Sequence, residues 1–379
     1  LKRIMRFSGD TVFGDIHLGA WGLPMGQLIT ELRRERPDLV YFDFGYEGPY
    51  PDEPPVTIAD LERLYPQASN ACKTDPVRAE DARKATAELQ AGRPGYRALW
   101  RQFVAVSREA VERDYADLDV AFDWWKGESD ADQHMSELAD TLRAQGLIEE
   151  SDGAEIIRVA QPDDKKETPP LILFKSDGSV LYGSTDLATI LERRRSVDPD
   201  RILYVVDQRQ ALHFEQVFRA AALAALFKKD RLEHLGFGTM NGRDGKPFKT
   251  REGGVLKLRD LIDMVDAKAR ERLLESGLAA GYGDAETSDI ARKVGVAALK
   301  FADLSNPRTT DYIFDLDRFT AFEGKTGPYL LYASVRVRSV LRRAAEAGGA
   351  AGPIRIEAGE ERDVALTLLA FGDAVRMSY

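Results

Sequence analysis

The spacing of apolar positions changes several times along this chain of 379 residues, and each change predicts an element. Residues 11–18 (TVFGDIHL) alternate as a strand does, turn at Gly19, and pass into a helical pattern over Met25 to Arg34. Tyr41 to Pro55 is aromatic, proline-rich and acidic and reads as an irregular loop. Residues 57–147 read as helices, with Leu99, Phe103, Val106 and Ala110 at three- and four-residue spacing, inserted into the α/β domain. Short strands are predicted at Glu155–Ala160, Leu171–Phe174, Val180–Tyr182, Ile202–Val206 and His234–Thr239, separated by helices at 185–195 and 211–227. Such alternation predicts an α/β fold with a doubly wound sheet. Beyond about residue 258 the pattern is helical throughout, with a hinge expected at GGAAGP (348–353).

Composition narrows the class. With 44% hydrophobic and 31% charged residues the chain reads as soluble and globular, large enough for two or more cores. It has no apolar run of membrane-spanning length and no secretory pattern at its start. A single cysteine, Cys72, leaves no intrachain disulfide framework and no multi-cysteine zinc site, so a reducing cytoplasm is expected. The net charge of −10 is uneven: residues 51–150 carry 12 basic and 21 acidic side chains, residues 201–260 carry 12 and 7. Local potential governs phosphate binding, so an RNA partner is permitted. The sequence opens at Leu1 in a helix-like segment and stops at Tyr379 in another; a fragment of a longer protein is expected.

Three segments carry candidate chemistry. In residues 232–254 an apolar run, Leu235 to Met240, leads into a loop with Lys246, Lys249 and Arg251, and the stretch holds six glycines. Mobile backbone with concentrated positive charge suits a departing phosphate; a solvated basic hairpin is the alternative. Gly242 and Gly245 stand too close for a G-x-x-x-x-G-K-[ST] phosphate loop. Tyr182 and Asp186, four apart at a strand-to-helix transition, can share one pocket wall, where the aspartate would accept two parallel bonds from a guanidinium. Otherwise Ser184 or Asp186 caps the helix. His213 begins a helix, either facing a ligand or bonding backbone.

The loop GKPFKTREGG (245–254) closely resembles the mobile Lys-Met-Ser-Lys-Ser-type loop of arginyl-tRNA synthetases. YGSTDLA (182–188), ILYVVDQRQALHFEQVF (202–218) and GKTGPYLLYASVRVRSVLRR (324–343) resemble that family's further blocks, in its order, and FDWW (122–125) with Glu128 resembles its pattern there. The resemblance implies a Rossmann-like class I core over 1–265 with the helical insertion at about 57–147. A helical connection at 266–327 and the start of an anticodon-binding helical domain at 328–379 would follow. It assigns Tyr182, Asp186 and Gln210 to arginine, and His213, Gly238 and Met240 to ATP, with FGTM (237–240) offering backbone to adenine. Lys249, Arg251 and Lys246 are assigned to the phosphates, and Arg336, Arg338, Arg342 and Arg343 to tRNA or merely to a solvated helix face. ATP with Mg2+ and tRNA for arginine are the implied substrates, with no protein-bound metal, in a cytoplasmic monomer.

The sequence also departs from the family. HLGAWG (17–22) has Ala20 in place of the usual aspartate and Pro24 in place of a glutamine; Lys325 replaces an asparagine. The family's His-x-Gly-His block and its Ser/Asn pair do not occur in this sequence, so residues 1–379 alone are expected to aminoacylate weakly or not at all. Two other readings are open: a different nucleotidyl-transferring enzyme, such as a synthetase for another amino acid or a pantothenate-synthetase-like ligase, and a non-catalytic RNA-binding or regulatory protein.

Overall fold

The computed structural model describes residues 1–174, 180–242, 244–246 and 256–378. These form two compact units, one of Ile16–Asp119 with Trp125–Gly238, the other of Leu1–Asp15, Val120–Trp124 and Thr239–Tyr379.

The first unit holds a helical core and an α/β core. In the helical core Leu23–Glu35 packs with Ile58–Thr74, Pro76–Gln90 and Pro94–Asp117 around Ile29, Leu32, Leu64, Leu89, Leu99 and Phe103, all buried. Local chemistry sets the starts of these helices. Thr57 and Asp60 form a reciprocal capping box, the Asp75 carboxylate accepts from Val77 N–H, and Pro94 opens the longest helix. Pro24 sits in the first turn of its helix, where a missing N–H costs nothing, so this departure is structurally neutral.

The α/β core is built on Leu187, Ile190, Val217, Leu173 and Ile157, all nearly inaccessible. Strands Glu149–Ser151, Ala154–Ile157 and Leu171–Phe174 run antiparallel. Ile202–Tyr204 and Leu232–His234 run parallel, joined through the Ala211–Leu223 helix. That crossover is the predicted α/β unit.

Several predicted elements come out shorter, each for a local reason. Of 11–18 only Asp15–Leu18 is strand. Before it, Arg6 takes the Val12 carbonyl and the Asp123 carboxylate takes Gly14 N–H at 2.7 Å, so side chains occupy groups a neighbouring strand would need. The helix predicted from 185 begins at Tyr182, because the Leu181 carbonyl already accepts Ser184 N–H at 3.0 Å; Val180 keeps one bridge to Phe174. The 211–227 helix stops at Leu223, with Ala225 at φ 53° reversing the chain. The strand expected at His234–Thr239 is Leu232–His234 and then a single bridge at Phe237, while Thr239 N–H turns to the Asp311 carboxylate at 2.7 Å. Within 57–147, Trp124–Gly127 is not helix but a strand paired with Asp15–Leu18.

In the second unit Leu258–Glu275 packs on Asp284–Leu304 around Ala269, Leu273, Ala291 and Val294. Met240–Asn241 pairs in parallel with Tyr312–Ile313, a strand in the region predicted to be wholly helical. Thr326 caps the Gly327–Glu346 helix through Tyr329 N–H, and that helix's first turn is buried.

Candidate functional site

The Tyr182–Ser196 helix is fixed at its first turn. Ser184, fully buried, donates its hydroxyl to the Leu173 carbonyl at 2.5 Å. Gly183 lies so close to the Leu171–Phe174 strand that a Cβ would stand 2.9 Å from the Ile172 carbonyl oxygen. Only glycine permits this approach. Leu187, Ala188 and Ile190 then bury one face of the helix, and Asp186 lies beside them, partly accessible.

Asp186 does not cap the helix. Its Oδ2 lies 2.6 Å from His213 Nε2, on the first turn of the Ala211–Leu223 helix. Ser184 caps nothing either, since its hydroxyl goes to the strand. The structure thus joins two residues that the family resemblance divides between arginine and ATP. Gln210, expected as a partner of the aspartate, is exposed on the 3-10 turn Gln208–Gln210, and the hydrogen bond to Asp186 comes from His213 instead.

A second carboxylate belongs here. Glu128 follows the Trp124–Gly127 strand, is only 7% exposed, and accepts a hydrogen bond from Trp21 N–H. Gly127 puts it there: a Cβ at Gly127 would meet the Leu18 carbonyl oxygen at 2.5 Å. Burial, with the Asp186 charge adding to it, lifts the Glu128 carboxyl from 4.5 to about 7. Glu128 was visible in sequence only through the FDWW pattern; one glutamate in an acidic segment gives no signal of burial. The HLGAWG segment reaches it through backbone rather than through a side chain at position 20. The Ala20 carbonyl accepts Trp100 Nε1–H at 2.6 Å, and Trp21 packs edge-on against Trp100 under the Arg97 guanidinium.

Tyr182 completes the group. Its side chain is 61% exposed, yet local burial first, then the charges of Glu128, Tyr65 and Asp186, raise its phenol above the ordinary value. A phenol, a partly accessible carboxylate and a buried one near neutrality form a receptor for a planar cation. The carboxylates supply charge and bidentate acceptors, and the ring supplies a π face.

The remaining candidates lie apart from this group. Gly238 closes the first unit and Met240 belongs to the second, in the strand paired with Tyr312–Ile313. Lys246 is exposed in a tight turn, where its carbonyl accepts Gly242 N–H at 2.8 Å. Lys249 and Arg251 lie outside the described residues. Arg336, Arg338, Arg342 and Arg343 are all exposed on the Gly327–Glu346 helix, Arg336 near the Tyr332 ring and Arg342 3.8 Å from Glu346.

Comparison with known proteins adds an independent line. The family model described as tRNA synthetases class I (R), catalytic domain, matches residues 1–316. An arginine–tRNA ligase of Hyphomonas neptunium is 60% identical over 377 residues, covering 99% of this chain and 64% of that protein. One from Maricaulis maris is 61% identical over 375 residues, with the same coverage. The chain therefore spans about 64% of the length of these relatives. In fold it is similar to the crystal structure of arginyl-tRNA synthetase from Plasmodium falciparum, with a TM-score of 0.76 and 23% identity over 98% of this chain and 59% of that one.

Proposed function

Because this chain belongs to the class I arginyl-tRNA synthetase family, we propose that the protein carrying it activates arginine with ATP and transfers it to tRNA. The arginine carboxylate oxygen attacks the α-phosphorus of Mg-ATP, and pyrophosphate leaves. A hydroxyl of the terminal tRNA ribose then attacks the arginyl carbonyl, and AMP leaves. Arginine selection falls to Asp186 and Glu128, which neutralise and orient the guanidinium, with Tyr182 against it and Gln210 at the rim. Backbone at Gly238 and Met240 meets adenine. Lys246, Lys249 and Arg251 stabilise charge on the phosphates, and the arginines of the Gly327–Glu346 helix contact the tRNA backbone. Little covalent work is asked of the protein; positioning and electrostatics carry the rate. A cytoplasmic monomer suits this role. Among the described residues no helix is long and apolar enough to cross a membrane.

The observation that carries this reading is the grouping of Glu128, Asp186 and Tyr182, which answers a guanidinium more specifically than any other amino-acid side chain. The test is amino-acid-dependent exchange of pyrophosphate into ATP by the full-length protein with tRNA present. Arginine alone should support it, and Asp186→Ala should abolish it. Exchange with another amino acid would favour a different nucleotidyl transferase, and no exchange at all would favour an RNA-binding protein.

A further inference from the structure

We propose that His213 is a positioning residue of the guanidinium site, holding the Asp186 carboxylate in one orientation and serving arginine rather than the nucleotide. This rests on the guanidinium reading above and deepens it.

The geometry has three parts. First, His213 Nε2 engages only Asp186 Oδ2, at 2.6 Å, and Oδ1 accepts no hydrogen bond among the described residues. One oxygen is tethered and the other is left for a ligand. A guanidinium donates two parallel bonds in one plane, so an aspartate free to rotate about its last torsion would present that plane only part of the time. A tether removes this freedom before the ligand arrives.

Second, both ends of the tether stand on fixed elements. Asp186 follows the Ser184–Leu173 anchor. His213 precedes Phe214, which is buried against Tyr204 and stacks on the His234 ring at 4.9 Å. Two turns further on, Arg219 ties the same helix to the preceding loop. Its guanidinium donates to both oxygens of Asp164 at 2.7 Å and to the Val159 carbonyl at 3.0 Å.

Third, the chemistry of an imidazole suits the task. A neutral ring with its proton on Nε2 donates to Asp186 and adds no positive charge to compete with the substrate, whereas a lysine or arginine at this position would neutralise the carboxylate. The charge that the guanidinium reads is kept while its direction is fixed.

The experiment compares His213→Ala with His213→Gln in the full-length protein with tRNA, measuring KM for arginine and for ATP separately. The alanine variant should raise the arginine KM by about tenfold or more, as expected for a lost bond to a charged group, and leave the ATP KM within about twofold. Glutamine, which can place an amide N–H near the same point, should recover most of the loss. A rise confined to the ATP KM would overturn the proposal, as would equal impairment by alanine and glutamine. If the alanine variant does not fold, His213→Met, similar in size and without a donor, takes its place. Asp186→Asn separates this proposal from the reading beneath it. If that variant keeps the wild-type arginine KM, the guanidinium site itself is wrong. If it loses arginine while His213→Ala does not, only the role of His213 falls.

Discussion

Glu128 and Asp186 come from distant segments of the chain, yet the charge on Asp186 reaches the buried Glu128 carboxyl and adds to burial in lifting it to about 7. In the absence of ligand this carboxyl holds its proton near neutrality more readily than an unfolded glutamate does. Folding stability due to this group is therefore fully present below its ordinary value of 4.5 and is lost as pH rises through about 7. The loss amounts to at most about 3 kcal/mol. Thermal melts of the wild type and Glu128→Gln should diverge accordingly, the wild type losing ground to the variant between about pH 5 and pH 8. A pH-independent difference in melting temperature would contradict the shift.

Arginine binding should move the opposite way. A guanidinium favours the ionised carboxylate, so the wild-type dissociation constant should tighten by up to about tenfold between pH 6 and pH 8. Glu128→Gln should bind weakly with a flatter profile. Calorimetric titration at several pH values gives both numbers, and a wild-type affinity independent of pH would remove Glu128 from the cation site.

The anchor beneath Asp186 is separable from its chemistry. Ser184→Ala removes the hydroxyl that donates to the Leu173 carbonyl, which retains Leu181 N–H at 3.1 Å, so the cost should be about 1 kcal/mol in chemical denaturation. Gly183→Ala should cost more, because its Cβ would press on the Ile172 carbonyl and on the Leu171 side chain at 2.8 Å. It should also raise the arginine KM by displacing the turn that carries Tyr182. If Gly183→Ala matches the wild type in both assays, the close approach is not a constraint.

Much of this was legible in the sequence. The alternation of strand and helix from Leu171 to His234 follows apolar spacing, and the crossover joining Ile202–Tyr204 to Leu232–His234 is where it was expected. Tyr182 and Asp186 were visible because their spacing marks one turn of a helix. What pattern could not reveal were contacts made across the fold. The bond from His213 to Asp186 joins separate helices, and the burial of Glu128 depends on Trp21 and Gly127 closing around it. The shortened strands have the same origin: Asp123 at Gly14 and Asp311 at Thr239 satisfy backbone donors from far along the chain. A local period carries no trace of a distant side chain that will take an N–H.

Arg219 offers a check on how the His213 helix is held. It is buried and paired with Asp164 and Glu215, and the Arg219 bonds hold the Asp164 carboxyl well below the usual carboxylate range. That pairing stabilises the fold above the ordinary aspartate value and is lost as pH falls below it. Arg219→Met should therefore lower the melting temperature at neutral pH and lessen its sensitivity to acid. Unchanged acid sensitivity would mean that the Asp164 pairing contributes nothing to stability.

The arginines of the Gly327–Glu346 helix are tested by salt rather than by affinity alone. All four are exposed, and Arg342 meets the acid Glu346 at 3.8 Å on the surface, where such pairs contribute little. If they meet tRNA phosphates, replacing Arg336, Arg338, Arg342 and Arg343 with glutamine removes charge that would displace counterions. Binding should weaken most at low salt, and the slope of log affinity against log salt should shrink by roughly one for each phosphate left without its guanidinium. Substitution by glutamine keeps a long polar side chain on an exposed helix, so the fold should be unaffected and melting temperatures should match. Filter binding or anisotropy with tRNA across a salt series measures the slope directly. An unchanged slope with unchanged affinity would leave these four guanidiniums as a solvated face, and the groups that hold tRNA would have to be sought on other residues.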